Sequence, residues 1–92
     1  MCLALGQSAL AQTELAQTKN CLSCHTVEKK LVGPAFKDVA AKYRGDKEAK
    51  DRLTAKVMQG GAGVWGVYAM PANPQVSAEE AKTLVGWVLG LK

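Results

Sequence analysis

The sequence predicts a small all-α domain, about four helices wrapped around one central bound group. Three observations predict it. Four segments carry apolar residues at helical spacing, and none alternates as a strand does. A chain of 92 residues buries only a modest share of its surface and usually needs a staple or a bound group at its centre. The run Cys21-Leu22-Ser23-Cys24-His25 supplies the chemistry to hold one.

Taken in order, residues 1–11 carry no charge and end in Ser8-Ala9-Leu10-Ala11, a small-x-small pattern typical of an export cleavage site. They read as the remnant of a leader without its basic opening segment, with residues 12–92 forming the domain. Cys2 would then be lost on export. Alternatively, these residues extend the first helix. Residues 13–20 form that helix, anchored by Leu15, and lead directly into the cysteine motif. Residues 34–43 follow, opened by Pro34 and stopped near Gly45, with Ala35, Phe36, Val39 and Ala40 at helical spacing. The third helix starts at Asp46 or Lys47 and runs to Gln59, turning Leu53, Val57 and Met58 inward before Gly60 and Gly61 end it. In the last helix Ser77 and Glu80 make a capping box, and Leu84, Val85, Val88 and Leu89 line one face beside Trp87. Residues 60–76 form an irregular loop, unusually long for so small a domain and therefore functional.

Composition excludes several classes. A hydrophobic fraction of 48% is ordinary for a globular chain, and no apolar run approaches the roughly 18 residues of a membrane span. The net charge of +4 is spread along the chain, too diffuse for a nucleic-acid patch but suited to meeting acidic protein surfaces.

Cys-x-x-Cys-His is the attachment signature of c-type haem. Each thiol of Cys21 and Cys24 adds to one porphyrin vinyl group, and His25 follows at once to offer an imidazole nitrogen to the iron. Three other readings compete, one of them the chance recurrence of a five-residue motif. A redox dithiol expects a strand–helix pattern, which is absent, and a structural zinc site wants four ligands where the domain offers two Cys and one His. The only histidine lies inside the motif, which favours haem.

With one histidine, bis-His ligation within the chain is excluded. Met58, Met70 or an open site remain for the second axial position. Met58 shares helical spacing with Leu53 and Val57, where methionine is usually core filler. Met70 lies in the irregular loop, precedes Pro71, and comes 45 residues after His25. It is the preferred ligand. Such a pair favours ferrous iron and leaves no vacant position for a substrate, which fits a carrier rather than an enzyme.

From about residue 14 to residue 92 the chain resembles the small bacterial class I monohaem cytochromes c of the c-551/c-552 type. The likeness rests on Cys21-Leu22-Ser23-Cys24-His25, Val32-Gly33-Pro34-Ala35 and Lys37-Asp38-Val39-Ala40-Ala41-Lys42-Tyr43. It continues through Gly63-Val64-Trp65-Gly66, Met70-Pro71, Asn73 and Trp87-Val88-Leu89. The resemblance implies the small cytochrome c fold around one covalent haem c. It implies that the Pro34 carbonyl accepts the hydrogen bond of His25, that Trp65 turns its indole N–H to a haem propionate, and that Asn73 restrains Met70. Lys56 stands where some relatives carry a propionate-binding Arg, although it lacks the planar fork. Trp87 is expected to be core, packing the last helix on the first. Two departures stand out. The approach Val67-Tyr68-Ala69 and the following Ala72 lack prolines common in relatives, which predicts a looser Met70 loop and easier cyanide binding.

The function implied is that of a soluble periplasmic electron shuttle, monomeric, binding neither nucleic acid nor membrane. A quinol–cytochrome c oxidoreductase would be its donor, and a terminal oxidase, nitrite reductase or cytochrome c peroxidase its acceptor. Docking would use the apolar haem rim and lysines such as Lys19, Lys29 and Lys30. The alternative is a haem-based sensor or weak peroxidatic site with a labile Met70.

Overall fold

A computed structural model describes residues 9–66 and 69–92. The expected leader therefore lies largely outside the described residues, as do Val67 and Tyr68 of the proline-poor approach. The described residues form helices α1 (Ala9–Thr18), α2 (Phe36–Lys42), α3 (Ala49–Gln59) and α4 (Ala78–Leu89), with a short 3-10 turn at Cys21–Ser23. Among them there is no strand, only a single bridge between Gly61 and Met70.

The boundaries differ from expectation in physically instructive ways. The first helix stops at Thr18, and Asn20 sits at φ 70 to turn the chain into the motif. Asparagine is among the few side chains that tolerate this left-handed conformation. The second helix begins at Phe36 rather than Pro34, because Ala35, at ψ 142, is still extended. The third begins three residues after Asp46, whose carboxylate accepts the N–H of Glu48 at 3.0 Å and so closes a preceding turn. The last helix starts as expected. Ser77 Oγ accepts the Glu80 N–H at 3.1 Å, and Glu80 Oε1 accepts the Ser77 N–H at 3.0 Å.

α4 is the element on which the others converge. It packs against α1, α2 and α3, and among the described helices no other pair is in close backbone contact. Its face of Ala81, Leu84, Val85 and Val88 is buried. Ala16 of α1 and Val76 join Ala81 and Leu84 in one cluster, while Phe36 and Val39 of α2 join Val88 in a second. Burying an aliphatic side chain of this size contributes about 1.5–3 kcal/mol. Because α2 and α3 both lean on α4 without meeting each other, a gap is left between them. Trp87, expected to pack α4 on α1, bridges the two clusters and sets its edge on Phe36 at 5.6 Å between ring centroids.

Candidate cofactor site

The gap is an apolar cleft with a cavity volume of about 150 Å³, open to solvent along one side. The backbone builds its first wall. Cys24 and His25 both donate their N–H to the carbonyl of Cys21, at 3.2 and 3.0 Å, so a single turn turns both cysteines and the histidine onto the cleft. The following loop folds back: Gly33 donates to the Cys24 carbonyl at 2.7 Å, and Phe36 to that of Thr26 at 2.8 Å. This return brings Gly33, Pro34 and Phe36 against the imidazole. Nδ1 of His25 donates to the Pro34 carbonyl at 2.8 Å, which leaves Nε2 as the nitrogen with a free lone pair. The Phe36 ring stacks on His25 at 4.8 Å and 22°. A Cβ on Gly33 would stand only 2.6 Å from the imidazole Cε1, so glycine alone lets the main chain approach this closely.

The opposite wall is the loop after α3. Gly61 and Met70 exchange N–H···O bonds of 3.0 and 2.7 Å, and Met70 lines the cleft. Gly60, at φ +84, allows that pairing: a Cβ there would meet the carbonyl oxygen of Met70 at 2.8 Å. Met58, the competing methionine, packs instead at the edge of the cluster formed by Ala16, Val76, Ala81 and Leu84.

The remaining candidates are placed as follows. Lys56 lines the cleft, its aliphatic stem lying over Gly61. Trp65 stands at the mouth, 38% exposed, with the ammonium of Lys42 at 5.7 Å from its ring centroid. Asn73 lies behind the Met70 loop rather than on the cleft. Its amide donates to the carbonyls of Val57 at 2.9 Å and Pro71 at 3.2 Å. Lys19, expected among the docking lysines, is instead occupied by Glu80 at 3.4 Å and by the carbonyl of Gln75 at 3.1 Å. The sequence placed Phe36 on the apolar face of the second helix and Gly61 at the end of the third, and pointed to no part in the site for them, Gly33 or Lys42. Gly33 stood within a recognisable motif, but its meaning depends on a ring eight positions away.

Chemically, the donor set is one imidazole nitrogen and one thioether sulfur on an apolar cleft, beside two thiols. Burial pushes the Cys21 thiol above its ordinary value. That is the reverse of a reactive dithiol, which needs a stabilised thiolate, and suits a sulfur that ends as a neutral thioether. The closeness of Gly33 and the occupied Nδ1 hold the imidazole in one orientation, with Nε2 unbonded. The residues fit a haem.

Helices packed around an apolar cleft onto which a haem-attachment motif is turned define a c-type haem protein. The chain belongs to the cytochrome c family, whose model, described as Cytochrome c, matches residues 10–92. It is 57% identical over 89 residues to cytochrome c-551 of Allochromatium vinosum, covering 97% of this chain and 95% of that protein. To cytochrome c-552 of Nitrosomonas europaea it is 49% identical over 84 residues, covering 91% and 82%. The crystal structure of wild-type Nitrosomonas europaea cytochrome c552 superposes with a TM-score of 0.85 at 49% identity, covering 87% of this chain and 99% of that one. These likenesses define a small class I monohaem cytochrome c carrying one covalent haem c.

Proposed function

We propose that this cytochrome is a periplasmic electron shuttle with His25 and Met70 as its axial ligands. The observation that carries the reading is that both side chains, from segments 45 residues apart, line one apolar cleft. The haem supplies reversible one-electron chemistry. What the chain contributes is positioning and environment. Cys21 and Cys24 tether the macrocycle. The Pro34 carbonyl fixes the tautomer of His25 and raises the basicity of its free nitrogen, while Phe36 and Gly33 prevent the ring from turning. The Met70 sulfur is a soft donor that favours ferrous iron and raises the potential, and the apolar wall does the same by excluding water. Held by His25 and Met70 together, a haem here would supply one-electron transfer with no position left open for a substrate.

Electrons would pass through the cleft mouth, where Val32, Val64 and Trp65 are exposed. Lys29 and Lys30 lie in the adjoining exposed segment and would steer acidic partners. Those partners would be a quinol–cytochrome c oxidoreductase as donor and a terminal oxidase, nitrite reductase or cytochrome c peroxidase as acceptor. Residues 1–11 would be removed on export, and the intact mass of the exported protein should then correspond to a chain that starts near Gln12.

Carbon monoxide tests the reading, because it binds ferrous haem only where an axial position is open. The reduced protein should show no spectral change under carbon monoxide at neutral pH. A rapid, saturable change would indicate a sensor or peroxidatic site instead.

A further inference from the structure

We propose that Lys19 and Gln75 form a latch that clamps the Met70 loop to the end of α1, making them positioning residues for the sulfur ligand. The proposal rests on the assignment of Met70 as axial ligand. Its basis is a continuous set of hydrogen bonds between parts of the chain 56 residues apart. Lys19 Nζ donates to the carbonyl of Gln75 at 3.1 Å, and Gln75 Nε2 donates to the carbonyl of Lys19 at 3.0 Å. The two residues thus bind each other reciprocally, side chain to main chain, which fixes separation and orientation together.

The same Gln75 amide also donates to Asn73 Oδ1 at 3.1 Å. That contact leaves the Asn73 nitrogen facing the carbonyls of Val57 and Pro71, to which it donates at 2.9 and 3.2 Å. The chain of contacts therefore runs from α1 through Gln75 and Asn73 to the residue after Met70 and to the end of α3. Glu80 completes it, since it pairs with Lys19 at 3.4 Å while capping α4.

Position gives these contacts their meaning. Lys19 stands two residues before Cys21, and Gln75 five residues after Met70. The latch therefore joins the arm that tethers the haem to the arm that supplies sulfur. Gly61 pins the start of the Met70 arm through its paired main-chain bonds, and the latch pins its end. For the sulfur to leave the iron, one of these anchors must yield. Ala69 and Ala72 impose no backbone restraint of the kind proline provides, so the restraint has to come from such contacts.

The test uses the haem-loaded ferric protein and cyanide, which binds only after the sulfur has moved away. Gln75→Ala removes two solvent-exposed hydrogen bonds and should speed cyanide association roughly three- to tenfold. The methionine–iron charge-transfer band at the red end of the spectrum should persist in the resting variant. Asn73→Ala should also accelerate binding, and Gln75→Ala added to it should bring little further gain, because both act through one chain of contacts. Glu28→Ala, on a surface away from the latch, should leave the rate unchanged. An unchanged rate in Gln75→Ala, or full additivity with Asn73→Ala, would overturn the latch while the red band upheld the ligand. A wild-type protein lacking that band would overturn the ligand assignment itself, and the latch with it.

Discussion

At the scale of single residues, the site depends on small groups whose importance lies in what they leave out. Gly33 is the clearest case. Its missing side chain lets the main chain lie against the imidazole, and any Cβ there would push the ring that Pro34 and Phe36 hold. Gly33→Ala should therefore destabilise the holoprotein by about 1–3 kcal/mol, the usual cost of forcing an extra carbon into a filled site. Urea unfolding followed at the haem band would measure it, and the ferric spectrum should shift as the imidazole tilts. A stability within error of wild type would mean that the loop yields freely and that His25 is not held as argued. The bond from His25 to the Pro34 carbonyl was expected from the resemblance, but the part played by Gly33 was not legible beforehand. The motif at residues 21–25 announces its own chemistry because its members are adjacent, and Met70 could be separated from Met58 by the periodicity around each. The closeness of Gly33 to His25, the stacking of Phe36 and the occupation of Lys19 arise only once the chain has folded back.

Among the helices, α4 is both the best specified and the most consequential. Its capping box is local, since Ser77 and Glu80 are three residues apart, and so it could be read directly. The starts of α2 and α3 depend on tasks assigned from outside: the Pro34 carbonyl serves His25, and the Asp46 carboxylate closes a turn and binds Arg52. No local signal separates those uses from helix initiation. Because α1, α2 and α3 all lean on α4, loss of its cap should reach the whole fold. Ser77→Ala should cost about 0.5–2 kcal/mol in chemical denaturation.

The cap also carries a pH dependence. The Ser77 N–H, and then the ammonium of Lys19, hold the Glu80 carboxyl below its ordinary value. A carboxylate with a lowered folded-state pKa stabilises fully above its unfolded pKa, and the gain fades as pH falls through the folded one. Stability should therefore drop on acidification through and below the usual carboxylate range, and drop less in Glu80→Gln. Equal slopes in the two proteins would show that the cap does not titrate as described.

At the scale of the whole fold, the described residues form a shell of three helices resting on a fourth, arranged around a cleft that polypeptide alone does not fill. The fold class was legible because 92 residues, four helical segments and a haem-attachment motif leave few other arrangements. The cleft follows from the same facts: α2 and α3 stay apart, and the sulfur-bearing loop and the histidine-bearing turn supply its two walls. The account's central claim is that iron in this cleft is held between His25 and Met70. The ferric absorption spectra of the wild type, Met70→Ala and Met58→Ala test it most directly. The methionine–iron charge-transfer band should be present in the wild type, unchanged in Met58→Ala and absent in Met70→Ala. A band that survives the loss of Met70, or vanishes with Met58, would contradict the claim.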